Sequence, residues 1–180
     1  MEASLVVRDR GRRLAFTVED LMRYHGPTSP GGVAHAVKVL ERALPLLAPG
    51  DLPERREIRV RTAFGGPGAR DAFELVTRAV TEGRYAVEPA LARPERGRAM
   101  ERFVFELAHR ERAVTLIVRE GFVSEEFIDL ARTEPRSAAQ ERHLDRLKLE
   151  MAERVLGAPA EAVYDLASPV SGREPPGSRR

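Results

Sequence analysis

The sequence predicts an α+β domain: a mixed or antiparallel sheet covered by helices, with a helical C-terminal segment. Three patterns carry that prediction. Val33, Val37, Leu40, Leu44 and Leu47 recur at spacings of four, three, four and three, the period of a helix with one buried face. Ile58, Val60, Thr62 and Phe64 alternate with Glu57, Arg59 and Arg61, and Phe103, Phe105 and Leu107 alternate again, as half-buried strands do. After Ser124 the period becomes helical once more. This order of elements fits one α+β domain over residues 1–167, whose helical C-terminal part covers about 124–167.

Residues 3–16 place two short apolar runs, Leu5 to Val7 and Leu14 to Phe16, around Asp9-Arg10-Gly11, which suits a hairpin or an irregular arm. Thr17 precedes Val18-Glu19-Asp20 as an N-cap followed by acids, which favour the positive end of the helix dipole. The short helix is expected to turn Leu21, Met22 and Tyr24 inward and to end at Gly26. Pro30 and Gly31 open the long helix, and Pro45, with no amide hydrogen to bond back to residue 41, must kink or end it.

The strand at 58–64 leads into Gly65-Gly66-Pro67-Gly68, a flexible connection to a second amphipathic helix with Ala69, Ala72, Phe73, Val76 and Val80 on one side. Tyr85 and Val87 suggest a strand, and residues 89–100 a mobile loop rich in Pro and Arg. His109 to Arg112 is expected to turn a hairpin whose return strand is Ala113 to Arg119. Ser124 can cap a helix to Arg132 with Phe127, Leu130 and Ala131 inward. Ser137 and Gln140 make a capping box for a helix with Leu144, Leu147, Met151 and Val155 on one face. That face is expected to pack on the chain's own sheet or against a second copy. Residues 168–180, polar and rich in Pro and Gly, suit a disordered tail.

The composition, 42% hydrophobic and 32% charged, contains no apolar run of bilayer length, and charges stand near the N-terminus where a signal peptide needs an apolar core. A cytoplasmic protein without membrane contact is expected. The absence of cysteine excludes disulfides, thiolate nucleophiles and cysteine-based zinc sites. The formal charge is +2, and the cations are arginines except for Lys38 and Lys148. They are interleaved with glutamates as on a salt-bridged surface, and aromatics are 6%, so nucleic acid is disfavoured as a partner.

The stretch from Tyr24 to Gly32 gathers the candidate chemistry. His25 is a candidate ligand-binding or acid–base residue, since an imidazole titrates near neutrality, and equally a helix cap. Thr28 and Ser29 are candidates to bind a substrate oxygen, or else a turn stabiliser and a cap. No Asp/His relay is legible, which disfavours a nucleophilic serine. Asp71 is expected either to point into the same cleft or to stabilise the first turn of its helix. His35 falls beside Lys38 and Arg42 and is expected to face solvent; it is a further ligand candidate and would be the partner of His25 in a metal pair. One histidine alone makes a poor zinc site. Gly65 to Gly68 lacks the following Gly-Lys-Ser/Thr of a phosphate loop. His109 and His143 suit a turn residue and an exposed helix residue. No cofactor is indicated.

Asp20 to Leu44 resembles the start of the FmdE-like family of formylmethanofuran dehydrogenase subunits, whose signature is His-Gly-His-x-Cys-Pro-Gly followed by a long helix. Asp71-Ala72-Phe73-Glu74-Leu75-Val76-Thr77 looks like that family's Asp-Ala-Ile-Gln-Val-Leu-Thr helix, Arg102 to Arg119 like its paired strands, and Ser124 to Leu166 like its charged helical end. The resemblance implies an α+β core, a polar cleft around the signature loop, and self-association. His25, Gly26, Pro30 and Gly31 match the signature, whereas Pro27 stands for its second histidine and Ser29 for its cysteine. The expectation is a divergent member that binds a small polar or anionic ligand, or a metal, in a cleft at the His25 loop. The alternative is a non-catalytic assembly protein acting through homodimerisation or a protein partner. The reaction, if any, is not specified.

Overall fold

The computed structural model describes residues 4–168 and has the predicted α+β architecture. All of the expected tail but Ser168 lies outside the described residues. Strands β1 (Ser4–Asp9) and β2 (Arg12–Thr17) form an antiparallel hairpin of their own. Its two-residue turn, Arg10 and Gly11 at φ 51° and 80°, has the left-handed pair that matches strand twist. The hairpin is tied to the segment before the main sheet: the Glu54 carboxylate accepts the Arg10 and Gly11 amides at 2.8 and 3.3 Å. The Arg8 amide donates to the Pro53 carbonyl at 2.9 Å.

Helix α1 (Val18–His25) starts at a Thr17/Asp20 capping box and stops at Gly26, whose φ of 83° suits glycine. Leu21 is buried and Met22 half-buried, as expected, but Tyr24 is exposed. At 100° per residue the inward stripe runs through Val18, Leu21, Met22 and His25, and Tyr24 falls outside it. The stripe therefore delivers His25 to the interior side.

Helix α2 (Pro30–Leu47) is the axis of the fold. It is contacted by α1, by α3 (Pro67–Thr77), by α5 (Ala138–Leu156), by α6 (Ala160–Val163) and by the sheet, so every residue from Pro30 to Leu40 is buried. Pro45 sits in its last turn, and the helix ends two residues later. The sheet has the order β4-β3-β5-β6-β7, built from β3 (Ile58–Thr62), β4 (Tyr85–Val87), β5 (Val104–His109), β6 (Arg112–Val118) and β7 (Tyr164–Ala167). Only β3 and β4 pair in parallel, with α3 as their crossover; the other pairings are antiparallel.

Three expectations need correction. Helix α3 ends at Thr77 because Arg78 turns left-handed (φ 58°), so Val80 lies beyond it, where the Glu74 carboxylate accepts the Val80 and Thr81 amides. Residues 89–100 are not a plain loop: they form two short 3-10 turns, Pro89–Leu91 and Pro94–Arg96, and bury Leu91 and Ala99. The apolar face of α5 packs on α2 of the same chain instead of on the sheet, with Leu144, Leu147, Met151 and Val155 buried. Helix α4 (Glu125–Arg132) lies against α5; it buries no residue fully, and Ala131 is exposed. Among the described residues no helix is long and apolar enough to cross a membrane.

Candidate functional site

Helices α2 and α3 meet at their N-termini. Both begin with proline, and neither N-cap, Ser29 or Gly66, makes a side-chain capping bond. The first-turn amides of both therefore lack an acceptor within their helices. The approach is close: a β-carbon on Gly68 would stand 2.3 Å from the Ser29 carbonyl oxygen and 2.9 Å from the Val33 nitrogen. The glycine-rich connection thus serves contact between two helix starts, more than flexibility.

This crossing brings Asp71, in the first turns of α3, to the end of α1. His25 Nδ1 lies 2.8 Å from Asp71 Oδ2, and Thr28 Oγ1 lies 3.3 Å from His25 Nε2. A carboxylate only accepts, so Nδ1 carries a ring proton toward Asp71, and in a neutral ring Nε2 is then the acceptor facing the threonine hydroxyl. The His25 side chain is only 4% exposed, whereas Thr28 is exposed. Sequence reasoning offered His25 and Thr28 for one cleft and Asp71 either for that cleft or as a helix stabiliser, and the structure brings the three side chains together; the relay itself was not legible because Asp71 comes from a distant helix.

Ser29, next in the chain, opens on a cavity of about 350 Å³ between the two helix starts, α4, α5 and the residues before β5. Phe64, Phe103, Phe127 and Ile128 give it apolar walls. Arg98, Arg102, Arg132 and Lys148 also line it, and no carboxylate does. Arg98 pairs with Asp129 and Arg132 with Glu101, outside the lining, and Lys148 reaches Asp145 at 3.4 Å. Arg102 alone of the four has no ion-pair partner among the described residues, and the two helix starts add partial positive charge beside it. A larger cavity of about 490 Å³ lies between β1 and the C-terminal half of α2. It is mainly apolar, and its charged lining residues, Glu41 and Asp51, are neutralised by Lys38 and Arg8.

His35 does not face solvent. It is fully buried, because α2 is covered on all sides, and its Nδ1 lies 2.7 Å from the Tyr164 hydroxyl with its ring 4.7 Å from that of Phe103. Burial pushes its imidazole down to about 3 and the Tyr164 phenol up. It shares no partner with His25, and among the described residues no group of three or more His, Asp or Glu is placed to hold a metal ion. His109 is buried rather than a turn residue, and its Nε2 accepts the Glu54 amide at 3.2 Å. His143 bridges Glu126 of α4 and Arg146 of α5.

The cationic and aromatic lining residues were missed by sequence reasoning. The available signal was the run Arg93 to Arg102, with four arginines against two glutamates, followed directly by Phe103 and Phe105. No known family model matches this chain, and no curated protein matches it.

Proposed function

We propose that this protein binds a small anionic molecule with an apolar or aromatic body in the cavity between the starts of α2 and α3. One observation carries this reading: four cationic side chains and no carboxylate line a cavity whose other walls include the rings of Phe64, Phe103 and Phe127 and the glycine-rich starts of two helices. An anion there accepts charge-assisted hydrogen bonds, each contributing about 1.5–3 kcal/mol. Arg102 has no carboxylate partner among the described residues, which leaves it free for a ligand. The ligand body stacks against Phe64, Phe103 and Phe127, and the Ser29 hydroxyl, which makes no capping bond, supplies a further polar contact.

The ordered likeness to the FmdE-like formylmethanofuran dehydrogenase family supports a divergent kinship, with the cleft displaced from His25 toward Ser29. The competing reading, an assembly protein acting through its C-terminal helices, loses its main motive because α2 covers the apolar face of α5. The test is a thermal-shift comparison of phenyl phosphate with phenol. Phenyl phosphate should raise the melting temperature of the wild type and not that of an Arg102→Gln, Lys148→Gln double variant. A shift that is equal in both proteins, or equal for phenol, would remove the reading.

A further inference from the structure

We propose that Thr28, His25 and Asp71 form a nucleophilic relay in which Thr28 Oγ1 accepts an acyl group from an activated carboxylic ester. Asp71 Oδ2 holds His25 Nδ1 at 2.8 Å, and His25 Nε2 faces Thr28 Oγ1 at 3.3 Å. A hydroxyl, a base within reach of it and a third group that orients the base are the parts needed to activate an alcohol, and the first contact is commonly loose before substrate binds. Exposure follows the same logic. The imidazole is nearly covered while the threonine is open, so an incoming ester meets the hydroxyl first.

Position adds a second argument. Thr28 is bonded to Ser29, which lines the cationic cavity, so its Cα lies about 3.8 Å from that of a lining residue. In the acylation step the Thr28 Oγ1–carbon bond forms and the bond between the carbonyl carbon and the leaving oxygen breaks. The Thr28 proton passes to His25 Nε2 and from there to the leaving oxygen. Water then attacks the acyl-threonine, gives its proton to Nε2, and releases the carboxylic acid with Thr28 restored. Asp71 is a positioning residue that keeps the Nδ1 proton in place.

That the natural ester carries an anionic group rests on the cavity reading above; the acylation itself does not, and the probe is a neutral ester. Wild type incubated with p-nitrophenyl acetate should gain one acetyl group, located on Thr28 by peptide mapping, with release of p-nitrophenolate. Thr28→Ala should lose the adduct and Thr28→Ser should keep it. His25→Gln should lower the acylation rate about 100-fold or more. Asp71→Asn, which retains an acceptor for Nδ1, should also slow it, and serves if His25→Gln does not fold. Wild type without acetyl on Thr28, or a rate unchanged in both His25→Gln and Asp71→Asn, overturns the proposal. A protein that acylates Thr28 but ignores phenyl phosphate keeps this inference and loses the cavity reading; the converse loses only this one.

Discussion

His25 Nδ1 and Asp71 Oδ2 lie 2.8 Å apart although 46 positions separate them in the chain. The bond clamps the end of α1 to the start of α3, and it satisfies a ring nitrogen that is almost out of reach of water. Asp71→Ala leaves that donor buried without a partner, which costs about 1–3 kcal/mol. Urea unfolding of the variant should show a lower midpoint with an unchanged slope. An unchanged midpoint would mean that the contact does not persist in solution.

Gly68→Ala tests the closeness of the two helix starts. With 2.3 Å between the new β-carbon and the Ser29 carbonyl oxygen, the obstacle is backbone and cannot rotate away. The helices must separate, at a cost of about 1–3 kcal/mol. Because Ser29, Gly66 and Pro67 line the cavity, the same variant should weaken ligand binding. A Gly68→Ala protein as stable as wild type would contradict the packing described for this crossing.

The His35–Tyr164 pair gives a pH signature. His35 is held down to about 3 in the folded chain by burial, against an ordinary value near 6.5. Between these values the unfolded chain binds a proton that the folded chain refuses, so stability falls as pH drops, by at most about 1.4 kcal/mol per pH unit. A His35→Phe, Tyr164→Phe double variant removes both polar partners together, which keeps the core apolar and full. Between pH 6.5 and 5, above the carboxylate range, the wild type should lose more stability than this variant. Parallel pH profiles would show that His35 is not held neutral by the fold.

Arg55 fastens the hairpin to the domain. It donates to the Val76 carbonyl at 2.9 Å and to that of Leu75, pairs with Asp9, and lies 5.4 Å from the Phe16 ring centre. Its charge sits where the carbonyls of α3 run out, the favourable end for a cation. Arg55→Met should lower stability by about 1–3 kcal/mol, since it leaves the Leu75 and Val76 carbonyls without their donor while Arg56 keeps Asp9 paired. Hydrogen exchange should then be fastest in β1 and β2; protection unchanged there would argue that the contacts of Glu54, Pro53 and Arg56 hold the hairpin without Arg55.

Elements with a clean period were legible in the sequence. The alternation of β3, the spacing along α2, the Thr17 N-cap and the Ser137/Gln140 capping box are local patterns, and local physics fixes them. What misled was helix α2. Its polar residues His35 and Lys38 suggested a wet face, yet four helices, the sheet and β1 cover it, and the chain compensates with the Tyr164 hydroxyl and the Glu41 carboxylate. The candidate site was half legible: the loop at His25 stood out by its residue types, and Asp71 by likeness to a family helix. The cationic lining did not, because Arg98, Arg102, Arg132 and Lys148 come from separate segments and converge only in three dimensions.

Calorimetric titration of phenyl phosphate at low ionic strength tests the anion cavity most directly. The expected result is a single site whose affinity falls about tenfold or more in the Arg102→Gln, Lys148→Gln double variant, equivalent to about 1.4 kcal/mol or more, and falls again as salt is added. No binding to the wild type, or equal affinity in the two proteins, would contradict an anion-binding cavity between α2 and α3.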